Sequence, residues 1–173
     1  MTTWSTPRRV VLSLGSNLGE RMQNLQGAVD ALFDASGLRL VGLSPVYETA
    51  PVGGPEQEAF LNAVVVVDTA LDPDTVLERA QNVEDAFHRV REVRWGPRSL
   101  DVDIIDAGGE QRDDPALTLP HPQAHTRAFV LQPWSDVDPD AEIPGKGPVR
   151  DLLAALTGQE LHRRDDLVLQ VPD

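Results

Sequence analysis

No cysteine occurs among the 173 residues, which excludes a disulfide framework and any thiolate metal site. Lysine is almost as scarce. Of fifteen basic residues only Lys146, in the turn-like PGKGP, is not arginine. The chain therefore contains no G-x-x-x-x-G-K-[ST] loop, and GSNLG at 15–19 is not a G-x-G-x-x-G fingerprint. GSNLG reads first as a glycine turn and helix cap, so a nucleotide, if handled here, is handled without a P-loop. Positive charge is in deficit overall: fifteen Lys and Arg against 28 Asp and Glu leave a formal net charge of −13, which disfavours nucleic acid and anionic membrane as partners. Long apolar runs are missing too, so no transmembrane span is expected. TPRRVVLSLGS has the look of a twin-arginine signal, but its apolar run, Val10 to Leu14, is too short for one. The expectation is a soluble cytoplasmic protein.

The length suits one compact domain, 1–173, with a real core. RVVLSLG (9–15) is a short β-branched run closed by glycine, a strand pattern. In SNLGERMQNLQGAVDALFDA, Asn17 followed by Glu20 is an N-cap signal, and Met22, Leu25, Val29, Leu32 and Phe33 recur at helical spacing. Residues 38–48 suit an edge or irregular strand. FLNAVVVVDT (60–69) is the strongest strand pattern, and 72–93 reads as a long helix opened by Asp72 and Pro73. LDVDIIDA adds a further strand. Strand, helix, strand, strand, helix, strand is the order of a ferredoxin-like α+β layer: an antiparallel sheet with helices on one face. Short helices expected at His125 to Leu131 and at VRDLLAAL would form a C-terminal appendage.

Within LDVDII, Asp101 and Asp103 project to one face while Leu100, Val102 and Ile104 point to the core. Two carboxylates about 7 Å apart on a strand can share hard cations, with water and phosphate completing the coordination. The competing reading is a solvated sheet face. Arg89, Arg91, Arg94 and Arg98 stand directly before the acids, a local inversion of charge in an acidic chain. Planar, permanently charged guanidinium groups suit phosphate oxygens, although a salt-bridged helix end would also use them. His121 and His125 are four apart in LPHPQAHTRAF, but Pro122 lies between them and no third ligand is near, so a phosphate contact from His121 is favoured over zinc. Arg127 and Phe129 share that segment. Phe60 and Asn62 share a strand face, which suits a flat heterocycle held by stacking and an amide; taken alone, Phe60 reads as core.

Taken in order, SLGSNLG, VYETAPVGGPEQEAFLNAV, HRVREVRWGPRSLDVDII and LPHPQAHTRAFVLQPWSDVDPD closely resemble the 6-hydroxymethyl-7,8-dihydropterin pyrophosphokinases of folate biosynthesis, over roughly residues 9 to 145. The resemblance implies a ferredoxin-like fold and transfer of a pyrophosphoryl group from ATP to the pterin hydroxymethyl oxygen. It makes Asp101 and Asp103 ligands of two magnesium ions. Arg89 and Arg91 become arginines of a catalytic loop, and Trp95 and Arg98 residues that close over ATP. Gln81, Glu84, His121 and Arg127 match nucleotide-side positions, with Leu117 and Thr118 beside the adenine or ribose. Phe60 and Phe129 match the rings that sandwich the pterin, Asn62 its amide partner, and Thr49, Ala50 and Val52 its loop. Two departures stand out: His88 replaces a common glycine, and Trp134 a usual leucine. Two other classes use parts of this set. One is a different magnesium-dependent transferase of phosphate esters, where D-x-D also recurs. The other is a non-catalytic ferredoxin-like binding module.

Overall fold

The computed structural model describes residues 6–50, 58–87 and 99–172. Its frame is an antiparallel sheet. β1 (Arg8–Ser16) runs through the middle, with β5 (Asp101–Ala107) on one side and β4 (Phe60–Thr69) on the other. β4 also pairs with β2 (Leu38–Leu43) and with the three-residue β3 (Tyr47–Thr49), and β3 pairs with β8 (His162–Arg163). The segment 38–48, expected as one irregular strand, is thus two strands broken at Ser44 and Pro45; the Ser44 hydroxyl accepts the Val64 N–H at 2.8 Å across the break.

Helices α1 (Arg21–Asp34) and α2 (Pro73–Phe87) cover one face of this sheet. Leu25, Ala28, Val29 and Leu32 from α1 and Val76, Ala80 and Val83 from α2 meet Val10, Leu12, Leu14, Ala63, Val65, Val67, Val102 and Ile104. α2 starts as its sequence dictates: the Asp72 carboxylate accepts the Thr75 N–H at 2.8 Å, and Pro73 occupies the first turn, where no N–H is needed. The last residues of the helix expected to reach 93 lie outside the described residues. α1 starts differently from expectation. Glu20 holds the cap position without a side-chain hydrogen bond, and the Asn17 amide donates instead to the Glu58 carbonyl at 3.1 Å.

The expectation of helices on one face only is corrected by the opposite face. There a short 3-10 turn (Ala124–Thr126), α3 (Ala128–Val137) and α4 (Val149–Ala155) lie over Val11, Val64, Val66 and Ile105, burying Val130, Leu131 and Trp134 in a second core. Rather than an appendage, this segment is the second layer. The physical reason is in β4 itself: Val64, Val65, Val66 and Val67 are all fully buried, and a strand apolar on both sides needs cover on both sides. Between α3 and α4, β6 (Glu142–Ile143) and β7 (Gly147–Pro148) form a separate two-stranded ribbon. The final residues return to the first face, where Leu167 and Leu169 join the α1–α2 core and Gln170 and Gln26 exchange two hydrogen bonds, at 2.8 and 3.1 Å.

Candidate active site

The second layer does not cover its whole face. α3 and α4 lie over the end of the sheet marked by Val11, Val66 and Ile105; towards the other end, on the same face, come Asp101 and Asp103 of β5, Ser13 and Gly15 of β1, and Phe60 and Asn62 of β4. The register aligns them in rows. Gly15 pairs with Asp101 on one side and with Asn62 on the other; Ser13 pairs with Asp103 and Val64. With strands about 4.8 Å apart, the carboxylate and amide rows stand on the order of 10 Å from each other. Gly15 makes the floor between them bare: a Cβ there would meet Asn62 Oδ1 at 3.2 Å and Phe60 Cδ1 at 3.7 Å. Such a layout can hold a flat ring at one end and a charged chain at the other.

On β5, Asp103 is exposed and Asp101 half-buried, while Val102 and Ile104 anchor the strand in the first core. Glu84 of α2 accepts the Val102 N–H at 2.9 Å, between the two acids. That bond satisfies a ladder donor on an edge strand and ties the acid-bearing strand to α2. The donor set of Asp101 and Asp103, oxygen only and on rigid backbone, fits a hard cation such as magnesium, which takes few protein ligands and keeps water and phosphate. Among the described residues no group of three or more His, Cys, Asp or Glu gathers into a fuller cage.

His121 is fixed beside this strand, its backbone N–H donating to the Ile105 carbonyl at 2.9 Å. Burial holds its imidazole below the usual histidine range; Asp103 pulls the other way, and Arg127 adds to the drop. Nδ1 accepts the Gln123 N–H at 3.2 Å, which leaves Nε2 to carry a proton towards a ligand. Arg127 lies 5.5 Å from the centre of the Phe129 ring and donates to Gln123. Phe129, in the first turn of α3, packs on the rim of the second core. Thus Asp103, His121 and Arg127 lie close enough to feel one another's charge, with Phe129 beside Arg127. Leu117 does not join them with its side chain, which is buried in the first core, and the Thr118 hydroxyl donates to the Asp114 carbonyl at 3.1 Å. Gln81 is exposed on α2.

At the other side of this floor, Asn62 Nδ2 donates to Thr49 Oγ1 at 2.8 Å, and Thr49 pairs with Phe60 in the ladder. Ala50 follows, exposed. Val52, His88, Arg89, Arg91, Arg94, Trp95 and Arg98 lie outside the described residues. Gly15, Asn17 and Arg21 were missed as parts of this region. Gly15 and Asn17 sit in a motif whose turn-and-cap reading was sufficient, and no pattern marks Arg21.

The half-open face of the sheet thus carries paired acids at one side and an amide beside an aromatic ring at the other. Residues 11–139 match the family model for 7,8-dihydro-6-hydroxymethylpterin-pyrophosphokinase, and the chain belongs to that family. Relatives called 2-amino-4-hydroxy-6-hydroxymethyldihydropteridine pyrophosphokinase are 48% identical in Mycobacterium tuberculosis, over 86% of this chain and 84% of the relative. In Methylorubrum extorquens the figures are 44%, 90% and 98%. In Pseudomonas aeruginosa they are 41%, 90% and 96%. The fold is also that of HPPK-DHPS from Plasmodium falciparum, solved with pterin and p-hydroxybenzoate: TM-score 0.68 at 16% identity, over 88% of this chain. This chain spans 44% of that longer one.

Proposed function

We propose that the protein transfers the pyrophosphoryl group of ATP to the hydroxymethyl oxygen of 6-hydroxymethyl-7,8-dihydropterin, releasing AMP, as a step of folate biosynthesis. The observation that carries this reading is the single row Asp101–Gly15–Asn62, which sets a phosphate-side acid and a ring-side amide on one rigid floor. The pterin hydroxyl attacks the β-phosphorus, a new C–O–P bond forms, and the bond from the β-phosphorus to the oxygen bridging the α-phosphate breaks. The hydroxyl proton departs, and AMP leaves with the bridging oxygen. No covalent enzyme intermediate is needed, so the protein's part is positioning and charge stabilisation.

In this reading Asp101 and Asp103 hold two magnesium ions, whose charge offsets that of the triphosphate. His121 and Arg127 contact phosphate oxygens, Gln81, Leu117 and Thr118 border the nucleotide, and Glu84 serves it indirectly by fixing β5. Arg89, Arg91, Trp95 and Arg98 close over ATP. Phe60 and Phe129 stack on the pterin, Asn62 pairs with its edge, and Thr49, Ala50 and Val52 complete the pocket. The order βαβββαβ, in which β2 and β3 both pair with β4 and so share the place of one strand beside β5-β1-β4, supports a ferredoxin-like layer, here carrying a second helical layer. The protein acts as a single domain and a monomer in the cytoplasm, on small molecules and not on nucleic acid. Among the described residues no helix is long and apolar enough to cross a membrane. Family membership favours this reading over another D-x-D transferase or a binding module. Phosphorus NMR of the protein with ATP, magnesium and the dihydropterin should show AMP and the pterin diphosphate. ADP as product, or no pterin-dependent turnover, would overturn it.

A further inference from the structure

β3 is only three residues long, and its final residue, Thr49, forms with Phe60 the last pair of the β3–β4 ladder. Ladder ends open most easily, yet both of these residues belong to the pterin pocket proposed above. Their register is also set at the mouth of a connection of ten residues, 50–59, too long to impose pairing in the way a two-residue turn does. Among the described residues a side chain outside the ladder bridges the two arms.

Arg21, the first residue of α1, does this with one atom. Its Nη1 donates at 2.8 Å to Glu48 Oε2 on the outgoing arm and at 2.8 Å to the Ala59 carbonyl on the returning arm. Asn17, in the turn before α1, adds a bond to the Glu58 carbonyl at 3.1 Å. The same Glu48 oxygen also accepts from Arg164 at 3.2 Å, and Arg164 is itself fixed by Asp166 at 2.8 Å and by its N–H on the Val46 carbonyl at 2.8 Å. Arg21 and Glu48 are each about three-quarters buried, with 22% and 27% of the side chain exposed, which makes the contact stronger than an open surface pair.

We propose that Arg21 is a positioning residue for the pterin: by clamping Glu48 to Ala59 it keeps Thr49 and Phe60, and with them Asn62, in the binding register. The inference rests on reading this face as the pterin site. The acids of β5 lie two strands away and are not held by the clamp. Loss of the clamp therefore lowers the fraction of molecules competent to bind pterin without altering the phosphate chemistry, and the apparent pterin affinity falls by that fraction.

Steady-state kinetics of Arg21→Leu, Arg21→Lys and wild type, with each substrate varied in turn, test it. Arg79→Leu serves as control, because Arg79 also bonds backbone carbonyls, those of Ala35 and Ser36, but away from the site. The expected result is a pterin KM raised on the order of tenfold in Arg21→Leu, with kcat and the ATP KM within about twofold of wild type. Arg21→Lys, which keeps the charge and can reach one acceptor at a time, should recover part of the loss. An unchanged pterin KM overturns the inference, as does a parallel rise in both KM values matched by Arg79→Leu. If Arg21→Leu does not fold, Glu48→Gln, which weakens the clamp while keeping an acceptor, should raise the pterin KM alone; no rise overturns the inference. Wild-type protein that forms no AMP from the pterin overturns the reading of the site, and the clamp with it; an active wild type with indifferent variants overturns the clamp alone.

Discussion

Asp101 and Asn62 are neighbours of the same residue: Gly15 of β1 faces the acid across one ladder and the amide across the other. A glycine inside a strand ordinarily weakens it, and here it leaves the space between two chemistries unfilled. Its backbone is not in the left-handed region, so a methyl group could be added without backbone strain. Gly15→Ala should leave thermal stability within about 1 kcal/mol of wild type. The new Cβ, 3.2 Å from Asn62 Oδ1, should raise the pterin KM several-fold while sparing ATP. Gly15→Val should abolish pterin binding, as followed by the fluorescence of 6-hydroxymethylpterin.

Asp103→Asn should reduce turnover by at least about a hundredfold at limiting magnesium, since a neutral amide is a poor substitute for a hard anionic ligand. Excess magnesium should recover part of the rate. A magnesium titration of initial rates checks this, and unchanged activity at low magnesium would remove Asp103 from the metal site.

Asp106 gives a pH signature unrelated to catalysis. Buried beside the bulge where β5 shifts register against Val11 and Leu12, it has one carboxylate oxygen without a partner, and burial pushes its carboxyl up to about 6, against the Gly109 and Ala107 N–H groups. Because this value lies above the ordinary 3.8, the folded state binds the extra proton between the two. Stability from this group is greatest below about pH 4, falls as pH rises towards 6, and stays low beyond. Asp106→Asn should therefore gain on the order of 2 kcal/mol over wild type at pH 7.5 and little at pH 4. Urea denaturation at the two pH values decides it; an equal difference at both would mean the carboxyl is not strained by burial.

Tyr47→Phe should destabilise the fold by about 1 kcal/mol. The Tyr47 hydroxyl donates to Asp136 of α3 and so links β3 to the second layer. Burial and that acceptor push the phenol up to about 12, so wild type should lose stability between pH 10 and 12 where the variant does not. Thermal melts across that range provide the check.

How far the sequence could be read follows from which forces act locally. β1, β4, β5 and the start of α2 were legible because strand periodicity and the Asp72–Pro73 cap are properties of neighbours in the chain. The acids, the Phe60–Asn62 face and a phosphate contact from His121 could be read from alternation and spacing, while their particular roles came only with the resemblance; the register does set Asp101, Asp103, Phe60 and Asn62 on one face. The second helical layer was misjudged although its signal was present: FLNAVVVVDT does not alternate, and an unalternating strand demands cover on both sides. Asn17 was taken for a helix cap because a side chain's local option is visible in sequence and its long-range one, the Glu58 carbonyl, is not. Arg21 left no trace for the same reason: its partners lie 27 and 38 residues away.

The bond from Val102 to Glu84 reaches beyond the reaction. Among the described residues β5 pairs with β1 alone, so its outer rim would offer a second molecule a template on which to add a strand. With the N–H between the acids already taken by Glu84, and carboxylates repeating along that rim, an incoming backbone meets a spent donor and negative charge. The strand that carries the acids thereby disfavours, through the same residues, the addition of a further strand to its edge.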